Sequence, residues 1–191
     1  MQVLRDLPAG EFEVTSLYWN DKGLFAGDLN GSIFIYETDN SPKGGQCHIG
    51  QCTDYKIHKL AVSSICCVGD CVISCSLDRS ISIMNFKTKE KGSIESVTDC
   101  FVLYPVESMN LVVLGTLSGS IYFYNISTKE LSNPLKLFSS SVCSISLHPT
   151  ENKVGVLSSH GFVLVNIDKN EEEKRVKLTA DKCTSCSISA N

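Results

Sequence analysis

Short apolar runs alternate with polar turns along the whole chain, and no window longer than about ten residues holds a clean helical period. Four segments share one pattern: residues 26–37 (AGDLNGSIFIYE), 74–85 (SCSLDRSISIMN), 114–125 (LGTLSGSIYFYN) and, more loosely, 156–166 (VLSSHGFVLVN). Anchored on Gly31, Arg79, Gly119 and Gly161, the copies repeat every 48, 40 and 42 residues. An earlier apolar run precedes each copy, at residues 14–18, 62–68, 100–104 and 142–147, and a fifth such run stands at 183–188. Run, turn, run, tight turn and alternating run predict antiparallel strands. Asn30-Gly31 and Ser118-Gly119 offer the positive φ that a tight hairpin turn favours. Ile33 and Ile35, Ile81 and Ile83, and Ile121 and Phe123 recur at every second residue, which places each pair on one face of a strand. Pro105 and Pro149 both follow an apolar run, where a strand would end.

A sheet of this size cannot bury both faces alone and must stack on neighbours, as the blades of a propeller do. A β-sandwich is the competing arrangement, but sandwiches show turn signals without a shared copy of roughly 40 residues. The expected fold is therefore all-β: a propeller of about four blades plus a half blade, in one domain.

The copies resemble the repeats of the WD-repeat family over nearly the whole chain. In that family a His precedes the first strand, an Asp sits in the tight turn, and Trp-Asp closes the third strand. The resemblance implies a hydrogen-bonded network running from His through Asp and a strand Ser to the Trp. His58, Ser74 and Asp78 occupy those places in the second copy, whereas Met84 stands at the Trp position and donates no hydrogen bond. Tyr36 and Tyr124 hold the Trp position elsewhere, and the turn Asp is replaced by Asn30, Ser118 and His160. The only tryptophan, Trp19, lies outside the signature, so the chain is a divergent case. The family's scheme, in which each repeat supplies the outer strand of one blade and three strands of the next, implies repeats at about 2–37, 38–86, 87–126 and 127–167, with a partial one at 168–191. Closed rings of the family most often have seven blades, roughly 300 residues at this period. An incomplete or open ring is thus expected: a fragment or truncated isoform, a small ring, or one whose missing blades a partner supplies.

Composition narrows the function. A formal net charge of −4 and a pI near 5.6 argue against direct nucleic-acid binding. No apolar stretch has the length of a membrane span or a signal peptide, so the chain reads as cytoplasmic or nuclear, not secreted. Most of the ten cysteines sit inside apolar runs and read as reduced, buried thiols. Cys47, His48, Cys52 and His58 have ligand chemistry, but their spacing fits no paired zinc knuckle, and the insertion at 41–52 reads as a flexible loop or partner contact. Cys183 and Cys186 form a Cys-x-x-Cys on a strand position, where the two thiols diverge, so no redox role is expected. The charge run at 171–177 reads as a solvated loop. No nucleophile elbow or phosphate loop is present, and no metal or cofactor is expected.

These readings point to a non-catalytic scaffold or adaptor subunit of an intracellular multiprotein complex. His58, Ser74 and Asp78 form a structural network, and Asp28, Asn30, Arg79, Ser118 and His160 line the turns where partners most often engage the family. A propeller hydrolase would need a cluster of acids or metal ligands at the inner strand ends. A phosphoinositide-binding propeller would need a paired-arginine motif, whereas Arg5, Arg79 and Arg175 stand alone.

Overall fold

The computed structural model describes residues 13–39, 48–159, 161–178 and 183–189. It is all-β among those residues, apart from a 3₁₀ turn at Glu107–Met109. Four antiparallel sheets of four strands follow one another in chain order. The first holds β1 (Val14–Asn20), β2 (Gly23–Asp28), β3 (Ser32–Asp39) and β4 (His48–Lys56). The second holds β5 (Val62–Val68), β6 (Cys71–Ser76), β7 (Ile81–Asn85) and β8 (Lys91–Ser93). The third holds β9 (Cys100–Val106), β10 (Leu111–Thr116), β11 (Ser120–Asn125) and β12 (Leu135–Lys136). The fourth holds β13 (Val142–Leu147), β14 (Lys153–Ser158), β15 (Gly161–Asn166) and β16 (Glu171–Lys177).

The sheets are blades of an open propeller. Their innermost strands touch in the order β1, β5, β9, β13. The cores lie between blades, not within them. Phe25, Ile33 and Ile35 of the first sheet pack with Val62, Ile65 and Met84 of the second. Cys66, Ile73 and Ile81 of the second pack with Leu103, Val112 and Leu114 of the third. Val113, Ile121 and Phe123 of the third pack with Val154, Val156 and Val163 of the fourth. Alternating residues of β10 therefore serve two different cores, so a strand here is apolar on both faces.

Local chemistry sets each blade. Three of the β2–β3-type hairpins use a three-residue loop whose last residue is left-handed: Gly31 at φ 88°, Arg79 at 69° and Gly119 at 87°. This is a type I turn closed by a bulge, with Gly31, Arg79 and Gly119 amides bonded back to Asp28, Ser76 and Thr116 carbonyls. The fourth hairpin is one residue tighter, with Ser158 opposite Gly161. Every inner ladder also carries a register shift at its start, between Val14 and Ser16, Val62 and Ser64, Val142 and Ser144, and opposite Cys100 and Val102. Such a bulge leaves one residue unpaired and re-aims its side chain.

Three expectations fail. Pro105 does not end its strand but lies within β9, opposite Val112. The insertion is not a loop throughout, because its last residues open β4, whose register runs from Ser32 opposite Lys56 to Asp39 opposite His48. Residues 41–47, including Cys47, lie outside the described residues. The charge run at 171–177 is β16, an exposed outer strand and not a solvated loop. Interleaved charge suits such an edge, where it discourages pairing with stray strands. Arg175 anchors it by donating to the Leu137 carbonyl at 2.7 Å and stacking over the Phe138 ring.

Candidate functional site: a buried strut and an apolar turn face

His58 stands in the connection between β4 and β5, and its ring reaches into the second sheet. Nε2 lies 2.7 Å from Ser74 Oγ and Nδ1 lies 2.6 Å from Ser80 Oγ. The Ser80 hydroxyl in turn donates to the Asp78 carboxylate. That donation fixes the protons along the chain. Ser80 has spent its proton, so it accepts from Nδ1–H, and Nε2 accepts from the Ser74 hydroxyl. Asp78 also accepts from the Lys59 amide at 2.7 Å and the Ser80 amide at 2.9 Å. It is 3.7 Å from the ring itself. Burial lowers the His58 pKa from 6.5, against the pull of the Asp78 charge, so the ring is held neutral. Burial works against charge on Asp78 too, but the bonds from Lys59 and Ser80 outweigh it and hold the carboxyl at about 2.

A Ser–His–acid relay is thus present in outline. Ser74, however, is 1 % exposed, so its hydroxyl is out of reach of any substrate in this conformation. The network is a strut. It also clasps two blades, since the His58 and Ile57 amides donate to the Gly31 carbonyl of the first sheet. Met84 takes no part and is buried in the neighbouring core. Ser80 is the member that the family pattern did not indicate.

The end of the second strand in each blade carries a simpler polar tie. Asp28, Ser76, Thr116 and Ser158, each the last residue of a second strand, are all buried. Asp28 accepts from the Ser32 amide at 2.7 Å, and Thr116 Oγ1 accepts from the Ser120 amide at 3.0 Å. Ser158 pairs with Ser140 at 2.6 Å. Asp28 was expected among the partner-binding residues, but its carboxylate is spent on its own turn and does not reach the surface.

The other turn residues differ in placement. Asn30 is half-buried, and its carbonyl accepts from Lys56. Ser118 is exposed, with its amide bonded to Asp99 at 3.0 Å and its carbonyl to Lys136. Arg79 is exposed. His160 lies outside the described residues. What the alignment did not flag is the residue that opens each three-residue turn: Leu29, Leu77 and Leu117 are 51 %, 52 % and 49 % exposed. Leucine at the same place in three copies was readable once those copies were aligned.

Two of these leucines flank a groove of about 460 Å³ between the second and third sheets, lined by Leu77, Arg79, Asp99, Phe101 and Leu117. Two features open it. Phe101 is the unpaired residue of the β9 bulge and points outward. The second turn is also uncovered. Over Gly31 and Gly119 the next connection comes so close that a Cβ would sit 2.5 Å from the His58 carbonyl oxygen and 2.3 Å from that of Ser140. At Arg79 the chain carries a long side chain instead.

The described thiols do not titrate alike: hydrogen bonds with Cys100 and Ser63 lower the Cys75 pKa. Burial raises the Cys66 thiol well above its usual range and pushes Cys67 up to about 12. Among the described residues, no three His, Cys, Asp or Glu side chains gather as a metal site. Nor is any helix among them long and apolar enough to cross a membrane.

No protein-family model and no curated protein sequence matches the chain. Solved structures do. The chain is similar to the computationally designed Ika4 protein, at 19 % identity and a TM-score of 0.63, over 93 % of this chain and 99 % of that one. It is also similar to a chain of the Mitotic Checkpoint Complex, at 14 % identity and a TM-score of 0.74, over 91 % of this chain. It spans about half of that longer chain, 53 %. At such identities the likeness establishes the fold alone.

Proposed function

We propose that this protein is a non-catalytic interaction scaffold, a subunit of an intracellular multiprotein complex. The groove between the second and third turns is its contact surface. The observation that carries this reading is the exposed set Leu77, Phe101 and Leu117 beside the charged Arg79. Apolar anchors around one arginine suit a partner segment that inserts an aliphatic or aromatic side chain and offers a carboxylate to Arg79. The structural likeness to a member of a checkpoint assembly supports a role in protein association. The polar relay supports the non-catalytic half of the reading, because its hydroxyl is sealed.

The test is site-directed photo-crosslinking from position 77 in cells, followed by identification and purification of the adduct. A single partner whose affinity falls about tenfold or more with Leu117→Asp or Arg79→Glu, with thermal stability unchanged, is the expected result. Crosslinking that those substitutions leave untouched would remove the groove from consideration. Turnover of a substrate by the purified chain would overturn the non-catalytic reading.

A further inference from the structure

The core between the second and third blades holds three thiols. Cys66 and Cys75 come from β5 and β6 of the second blade, and Cys100 opens β9 of the third. Cys75 opposes Ser64 on one side and Ile81 on the other, and Cys100 opposes Thr116. β9 lies against β5, where the Leu103 amide donates to Ser64 Oγ at 3.1 Å. That seating brings the Cys75 and Cys100 thiols into hydrogen-bonding contact across the blade boundary.

The three thiols are not alike. The Ser63 hydroxyl lies 3.3 Å from the Cys75 sulfur and 3.2 Å from the Cys75 carbonyl oxygen. Hydrogen bonds from Cys100 and Ser63 outweigh burial at Cys75 and lower its pKa. The same contact with Cys75, and burial after it, raise Cys100 well above its usual range. Cys75 is therefore the sulfur that is ready to lose its proton, and Cys100 is the donor beside it. A thiol with its anion stabilised, next to a second thiol, is the arrangement of an attacking and a resolving cysteine. Cys66 shares the core but burial raises it, so it stays protonated. Access comes from the turn-face groove. Cys100 is part of its lining, with Leu77, Arg79 and Leu117, and Cys75 is wholly buried. Only an oxidant close to water in size fits such an approach.

We propose that Cys75 and Cys100 are oxidised by hydrogen peroxide to a disulfide that bridges the second and third blades, and that a small thiol reopens it. In the first step the Cys75 thiolate attacks the peroxide. An S–O bond forms and the O–O bond breaks. The departing hydroxide takes up the proton that Cys75 released, which leaves one water and a sulfenic acid. The Cys100 sulfur then attacks the Cys75 sulfur. The S–S bond forms, the S–O bond breaks, and the hydroxyl leaves with the Cys100 proton as a second water. The two thiols lose two electrons and the peroxide gains them. Cys75 lies four residues before Arg79 and Cys100 directly precedes Phe101, so the bridge fixes both walls of the groove. The oxidation does not require the groove to hold a partner, so either reading can fail alone.

The full chain is reduced, freed of reductant and exposed to hydrogen peroxide at neutral pH. Free thiols are blocked with N-ethylmaleimide, and the digest is read by mass spectrometry without reduction. A peptide linking Cys75 to Cys100 is expected at least about tenfold faster than any link that includes Cys66, and dithiothreitol is expected to remove it. Cys100→Ser is expected to leave Cys75 as a sulfenic acid that dimedone captures. Ser63→Ala removes a donor to the Cys75 sulfur. It is expected to slow linking about three- to tenfold and to move its pH dependence upward, which a merely structural role would not do. The unsubstituted chain carries the test even where a variant fails to fold. Three results would overturn the proposal: peroxide that modifies Cys183 but never links 75 to 100, links to Cys66 that form as fast, or a 75–100 link that forms only in denaturant.

Discussion

The first and third hairpin turns and the second are built on the same three-residue plan, yet they meet different surroundings. Gly31 and Gly119 lie beneath the connection to the next blade, where there is no space for a side chain. Arg79 holds the same left-handed backbone and stands exposed. The second turn gains its rigidity elsewhere, from the His58–Ser80–Asp78 chain of hydrogen bonds. One backbone shape is thus held in two ways, by close packing over glycine or by a buried polar strut. The strut leaves the turn's outer side free for contact.

The largest effect is expected at the glycines. Gly119→Ala drives a Cβ into two carbonyl oxygens and forces a disfavoured φ, so it should cost more than about 3 kcal/mol, measured by chemical denaturation. Next comes the strut. His58→Ala leaves Ser74 without its buried acceptor and should cost about 2–3 kcal/mol. The loss should appear first as faster amide exchange in β5 and β6.

Acid should act on the same strut. The folded His58 pKa lies below 6.5, so the unfolded chain binds the proton more readily. Its contribution is full above about pH 6.5 and fades as the pH falls through that value. Asp78, held at about 2 against an ordinary 3.8, adds a second loss as the pH drops below about 4, of no more than about 2 kcal/mol. Asp78→Asn should flatten the lower part of a stability–pH curve. The smallest effect is expected at Arg79. Arg79→Gly relieves a left-handed non-glycine residue and should stabilise the fold by about 1 kcal/mol, while weakening any partner that pairs with the guanidinium. A melting point that falls would mean that Arg79 makes a folded-state contact that outweighs its backbone strain.

Much of this was legible in the chain. The copies at 26–37, 74–85 and 114–125 marked the hairpins, and His58, Ser74 and Asp78 lie in one hydrogen-bonded chain that Ser80 bridges. Ser80 escaped because a two-residue step past Asp78 looks like the start of a strand, and only the ring's position shows that its hydroxyl is the bridge. Asp28 read as a surface turn residue because acids in turns are commonly solvated. It is buried, in a turn whose Gly31 carbonyl accepts from the Ile57 and His58 amides. The charged segment at 171–177 lacked the apolar alternation that betrays a strand. An outer strand needs none, since it packs by its backbone edge.

Periodicity and turn chemistry are local properties, so the repeat, the four hairpins and the alternation of apolar and polar residues follow from the chain alone. Tertiary structure alone decided where the bulges fall, which turn stays uncovered, and that Cys75 of one blade meets Cys100 of the next. Those outcomes depend on how one sheet's face meets the next, and no single repeat holds that information.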